Sequence, residues 1–206
     1  MKPTILPLLL CCILLQSCEK QDTTPSSNTM SFNNTDPCNE VATCPTWYPV
    51  EIGNEWKWNS LLGSFRVRIT GDTTMNGKTY FTSRFVGGTI LTFLNEWCWI
   101  YGYITPNGDL REYDPDSGRD WLYLPSSPVV GQSWLRNDSQ WEVLSVNETL
   151  QTPACNYTSL LKVQITDTND GSIDYGYFGK GLGLIYAVSS TNPSVSYYLQ
   201  DVDLTW

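Results

Sequence analysis

Across most of this chain apolar and polar residues alternate with a period of two, and no segment sustains apolar residues at i, i+3, i+4 and i+7. Side chains that point to opposite faces at successive positions belong to strands. Phe65, Val67 and Ile69 mark one face of a strand over Ser64–Thr70. Further strands are predicted at 55–61, 78–85, 89–94, 97–104, 109–113, 121–124, 132–136, 141–146, 159–166, 173–178, 184–188 and 195–200. Turn residues separate them at Asn76-Gly77, Pro106-Asn107-Gly108, Asp114–Asp120, Asn137-Asp138, Thr168–Gly171 and Asn192-Pro193. Asn-Gly is the strongest of these signals, because a tight hairpin needs φ > 0 at both central residues. Short strands at hairpin spacing predict an all-β fold, an antiparallel sheet forming a single barrel-like or sandwich domain. A parallel α/β fold is disfavoured, because no segment offers a long crossover helix.

Composition supports a packed domain and removes several chemistries. The 206 residues are 41% hydrophobic and include nine Trp and twelve Tyr, enough to fill one core. A net charge of −9 without basic runs argues against nucleic acid, whose phosphates need clustered Lys and Arg. The chain contains no His. That excludes Ser-His-Asp, Cys-His and His-zinc sites built from this chain alone.

The N-terminal segment reads as an address. After Lys2 comes an apolar run, Ile5–Leu15. It falls short of the roughly 20 residues that cross a bilayer, so it reads as the core of a signal peptide. Leu15-Gln16-Ser17-Cys18 resembles the lipobox of bacterial lipoproteins. The resemblance implies a signal peptide at 1–17, diacylation of the Cys18 thiol, and a membrane anchor. Residues 18–44 are polar and hold little to bury, so they read as a flexible tether to an all-β domain at 45–206. Of seven cysteines, Cys11 and Cys12 leave with the signal and Cys18 carries lipid. Cys38, Cys44, Cys98 and Cys155 remain, an even number that suggests two disulfides in an exported chain. Three pairings are possible; Cys38–Cys44 and Cys98–Cys155 are favoured.

Two patches of the domain carry a further resemblance. Tyr48-Pro49 with Gly53-Asn54-Glu55-Trp56, and the late Gly179-Lys180-Gly181-Leu182-Gly183-Leu184-Ile185, resemble small all-β cell-envelope lipoproteins of Bacteroidota. That resemblance implies a fold and a location more than an activity. Glu19 stands after the lipidated Cys, where an Asp is the usual inner-membrane retention signal. The outer membrane is therefore the expected location, with the face left open.

Three groups of residues are candidates for function. Trp97, Trp99, Tyr101 and Tyr103, with Trp56 and Trp58, could form a glycan-stacking platform, a packed core, or the lining of a lipid cavity. Asp114, Asp116 and Asp120 surround Gly118 and could offer oxygens to Ca²⁺, as could the second acidic turn at Asp167–Gly171. A polar turn between two strands is the default reading of both, since neither matches the EF-hand loop. Gly179, Gly181 and Gly183 lack a Lys-Ser/Thr ending and read as turn glycines, not a phosphate loop. The expected function is a non-catalytic outer-membrane lipoprotein that binds a lipid, a glycan or an envelope partner. Its alternatives are a carboxylate-dependent envelope hydrolase and an accessory subunit of an outer-membrane complex.

Overall fold

The computed structural model describes residues 46–88 and 98–204. The signal peptide, Cys18, the tether, the pair Cys38–Cys44, the strand expected at 89–94 and Trp97 lie outside the described residues. Within them the chain forms twelve strands. These are β1 (Glu55–Ser60), β2 (Gly63–Met75), β3 (Lys78–Gly88), β4 (Tyr101–Ile104), β5 (Leu110–Asp114) and β6 (Arg119–Leu124), followed by β7 (Ser133–Arg136), β8 (Ser139–Gln151), β9 (Asn156–Asp167), β10 (Ile173–Gly179), β11 (Gly183–Ser189) and β12 (Ser196–Asp203).

All twelve belong to one antiparallel sheet, ordered β6-β5-β4-β3-β2-β1-β12-β11-β10-β9-β8-β7. Every neighbouring pair is consecutive in sequence except β1 and β12, which join the two ends of the domain. The sheet edges, β6 and β7, lie against each other without sharing a ladder. The architecture is therefore an up-and-down barrel that is nearly closed, with one seam at β6/β7.

The alternation in the sequence explains what faces inward. Phe65, Val67 and Ile69 of β2 are buried, while Arg66, Arg68 and Thr70 between them are exposed. Leu161, Val163 and Ile165 of β9, and Tyr197, Leu199 and Val202 of β12, do the same across the barrel. The step from Leu199 to Val202 matches a register shift opposite Lys57/Trp58, which keeps β12 in phase with β1. Asn76 and Gly77 both sit at positive φ, as the tight β2–β3 turn requires.

The two patches that resemble envelope lipoproteins meet in space. The Trp56 indole donates to the Leu182 carbonyl at 2.7 Å, and the Trp58 indole to that of Leu184 at 3.0 Å. The Gly183 amide donates to the Trp47 carbonyl at 2.9 Å. Gly183 has φ +82°, and a Cβ there would sit 2.8 Å from the Tyr48 ring. The opening aromatic segment thus seals against the late glycine hairpin.

Candidate functional site

The structure corrects the aromatic platform. Trp56, Trp58 and Trp99 are 1%, 1% and 3% exposed. They belong to the core cluster with Phe65, Tyr123 and Trp141. Strand β4 begins only at Tyr101, so Trp99 escapes the alternation expected over 97–104. The reason is local. The Ser83 amide and hydroxyl donate to the carbonyls of Ile100 and Trp99, which lets the Trp99 ring fold back onto Gly102. Tyr101 and Tyr103 then alternate with buried Gly102 and point to the sheet face away from the core, both partly exposed.

That outward face carries other tyrosines. Tyr80, Tyr103 and Tyr113 lie with ring centroids 5.1–5.2 Å apart around Tyr80. The Tyr80 hydroxyl donates to Asp120 at 2.9 Å, and Lys78 bonds the same carboxylate at 2.6 Å. Burial and the Asp120 bond push the Tyr80 hydroxyl up to about 12. Lys78 rises to about 12 through its bonds to Asp120 and Tyr103. This is a latch that fixes the β2–β3 hairpin over β4–β6.

The calcium geometry is also corrected. Asp120 turns to Lys78 and Tyr80, away from the turn that holds Asp114 and Asp116. Asp114 accepts the Asp116 amide at 3.0 Å, closing the turn on itself. Among the described residues no three Asp, Glu or Cys side chains gather into a metal-binding group. The expected bridge Cys98–Cys155 does not form. Cys98 is a free thiol, and Cys155 is disulfide-bonded to a partner outside the described residues. Cys98 stays reduced beside the core, where burial pushes its thiol up to about 12 against the pull of Arg136.

Among the described residues the inward side chains pack into one core cluster. A void beside Tyr48, Trp56, Val67, Ser83, Cys98 and Trp99 measures about 10 Å³, no more than one water could use. The barrel also holds a buried ion pair. Arg136 on β7 is 2% exposed and donates through Nε and Nη2 to Glu112 Oε2 at 2.8 and 2.6 Å. Its guanidinium lies 5.1 Å from the Tyr123 ring centroid and 5.3 Å from that of Trp141. Glu112 is on β5 and Tyr123 on β6, so this cluster spans the seam. The sequence does signal it. Glu112 falls on the same phase as Leu110, and Arg136 on the same phase as Trp134, so both charges take inward positions.

Above this pair the seam opens into a cleft of about 560 Å³. It is lined by Asp114, Ser117, Arg119 and Trp121 on one side and by Asn137, Asp138, Ser139, Asp167 and Asn169 on the other. These residues come from the β5–β6, β7–β8 and β9–β10 hairpins. In an up-and-down meander every turn from an odd to an even strand falls at the same end, so the three hairpins share one mouth of the barrel. Trp121 and Ser139 are the register partners of Glu112 and Arg136, which places the ion pair beneath the cleft floor.

The cleft is lined largely by polar side chains. Asp114, Asp138 and Asp167 form no ion pair among the described residues. Arg119 lies 5.6 Å over the Trp121 ring and likewise forms none. The Ser117 hydroxyl, with the Asp116 amide, holds the Asp114 carboxyl below its usual range. A carboxylate kept ionised accepts hydrogen bonds well. It is the wrong state for the general acid of a glycosidase, which must be pushed up. Sequence reasoning found the two acidic turns and the strand beginning at Trp121 separately. It missed that one cleft joins them, because their meeting depends on the seam.

No protein-family model matches this chain, and no curated protein sequence matches it. Two solved structures are similar. One is a candidate lipoprotein from Parabacteroides distasonis, 12% identical, with a TM-score of 0.42, covering 78% of this chain and 99% of that one. The other is a candidate exported protein with a YmcC-like fold from Bacteroides fragilis, 15% identical, with a TM-score of 0.38, covering 78% of this chain and 100% of that one.

Proposed function

We propose that this chain is a lipid-anchored protein of the cell envelope, held at the outer membrane through Cys18, whose β domain binds saccharide in the seam cleft without catalysing a reaction. The observation that carries the reading is the cleft itself. An indole wall at Trp121 faces two Asn side chains, two Ser hydroxyls, three carboxylates and one guanidinium within about 560 Å³. A sugar ring offers an apolar C–H face and a rim of hydroxyls. An aromatic face with planar amides and carboxylates around it matches both. The burial of the core aromatics favours a glycan over a lipid, because an acyl chain entering beside them would have to displace Trp56, Trp58 or Trp141.

The test is a glycan array on the purified, detergent-solubilised protein, followed by calorimetry on any hit. Trp121→Ala is expected to weaken binding about 3- to 10-fold, the worth of one aromatic contact of roughly 0.5–1.5 kcal/mol. Asn169 is exposed and donates only its backbone amide to Asp167. Asn169→Ala should therefore weaken binding without lowering the melting temperature. An array without saturable hits, or a hit that neither variant disturbs, rejects the proposal.

A further inference from the structure

We infer that Cys155 is bridged to the segment that leads into β1, through Cys44 or Cys38, so that the tether is strapped to the barrel mouth opposite the seam cleft. Cys155 is disulfide-bonded, and Cys98, the other cysteine among the described residues, is a free thiol. The partner of Cys155 therefore stands outside 46–88 and 98–204. Five cysteines do: Cys11, Cys12, Cys18, Cys38 and Cys44. The inference rests on the lipoprotein reading in one respect, because that reading removes Cys11 and Cys12 with the signal peptide and gives Cys18 to lipid. Cys38 and Cys44 remain. The bridge takes one of two cysteines that the sequence suggests pair with each other.

The fold brings both ends of such a bridge to one place. Cys155 lies in the β8–β9 turn, 6% exposed and packed into the core cluster. Two bonds pin it there. The Thr152 amide donates to the Cys155 carbonyl at 2.8 Å, and the Cys155 amide donates to the Thr152 hydroxyl at 3.0 Å. The segment before β1 is pinned as well. The Thr46 and Trp47 carbonyls accept the Gly181 and Gly183 amides, each at 2.9 Å, beside the β10–β11 turn. In an up-and-down meander the turns from even to odd strands fall at the end where β1 begins, opposite the hairpins that line the cleft. Cys155, Thr46 and Gly181 thus share that mouth. Cys44 stands two residues before Thr46 and Cys38 eight. At about 3.5 Å per extended residue these spans reach roughly 7 and 28 Å, and the bridge itself adds about 5.5 Å between Cα atoms. Closing it moves two protons and two electrons from the thiols to a disulfide-bearing thiol oxidant of the envelope, which leaves as its dithiol.

The test is peptide mapping of the full, detergent-solubilised chain, thiol-blocked and digested without reductant. Trypsin should yield peptides 21–57 and 137–162 as one linked species that separates on reduction. Cleavage after Glu40, which stands between Cys38 and Cys44, then assigns the link to one of them. Either assignment supports the strap. Intact mass of the same sample reports signal removal and acylation, so failure of the lipoprotein reading is seen separately. A link from Cys155 to Cys98, to Cys18 or to a second copy, or a free Cys155, overturns the inference. Stability gives an independent readout. The bridge closes a loop of more than 100 residues, so reductant should lower the melting temperature by roughly 10–20 °C. Cys155→Ser should show the lowered value with or without reductant. A wild-type melting temperature that reductant leaves unchanged also overturns the strap, because a bridge between two pinned segments has to hold them together.

Discussion

Replacing Arg136 by Met should be the most damaging single change in the domain outside its apolar core. The guanidinium is almost fully buried, bonds Glu112 Oε2 twice and stacks between Tyr123 and Trp141. Met fills most of the same volume, so the loss is electrostatic. It leaves a carboxylate with only 12% of its side chain exposed and its partner gone. Breaking one side of a buried pair costs about 3–5 kcal/mol, because the surviving charge remains desolvated. For a domain of this size each kcal/mol moves the melting temperature by about 2–4 °C, so a drop of roughly 6–20 °C is expected. Arg136→Lys should recover little, since a single ammonium cannot reproduce the two-point bond or lie flat between two rings. The decisive variant is Arg136→Met with Glu112→Leu. Removing both charges removes the stranded carboxylate, so the double variant should be more stable than Arg136→Met alone. Urea denaturation of the four proteins gives the coupling directly. If the two single costs simply add, or Arg136→Met costs less than about 1 kcal/mol, the pair does not hold the seam and the reasoning fails.

The remaining expectations concern neighbouring residues. Cys98 keeps its proton up to about pH 12 when folded against 9.0 as its ordinary value, so the unfolded chain releases that proton first. Stability should therefore fall as pH rises above 9, by at most about 1.4 kcal/mol per unit. Buried Tyr48 and Tyr123, also raised, add to the fall only above 10, so Cys98→Ala should flatten the curve between pH 9 and 10. A curve that Cys98→Ala leaves unchanged in that interval would contradict this. Gly102→Ala would place a Cβ 2.6 Å from the Trp99 ring. It should cost about 1–3 kcal/mol by urea denaturation and alter the near-ultraviolet dichroism of the displaced indole. Peptide mapping of unreduced protein should find Cys155 linked to another cysteine peptide and Cys98 alkylated only after unfolding; a linked Cys98–Cys155 peptide pair would reverse that assignment.

The strands were legible because the alternation is local. Twelve predicted segments fall on the twelve observed strands, most ends within a few residues, since an inward Val or Ile needs no knowledge of its partner. The failure at Trp97–Ile104 has the opposite cause. Trp97, Trp99, Tyr101 and Tyr103 are in phase as a list, but Trp99 leaves the strand to cover Gly102, a contact set by Ser83 on β3. The disulfide expectation failed in the same way. Cys98 and Cys155 could be matched by number and parity, whereas pairing depends on which sulfurs the fold brings together. The two patches singled out in the sequence, far apart along the chain, meet in the structure. Tyr48, Trp56, Leu182 and Gly183 form one contact that joins the first strand to the late hairpin.

The candidate site was legible only in pieces, because it belongs to the seam. Asp114 and Asp167 looked like parts of ordinary acidic turns and Trp121 like the start of a strand; in the structure Asp114 and Asp167 end β5 and β9 and Trp121 lies in β6. What makes them a cleft is that β6 and β7, consecutive in the chain, are the two strands that do not pair. The loss of a ladder there leaves room for side chains to meet across the gap. Below, that room is taken by Arg136 and Glu112; above, it stays open between Asp114, Arg119 and Trp121 on one side and Asn137, Asp138 and Asp167 on the other. A ligand seated in the cleft would contact both edges of the sheet at once and add to what the ion pair does beneath it. Binding and closure are then linked, and a ligand that binds only the closed seam stabilises the fold by RT ln(1 + [L]/Kd). The seam is thus both the line where the barrel's ladder hydrogen bonding is missing and the place where this polar cleft opens.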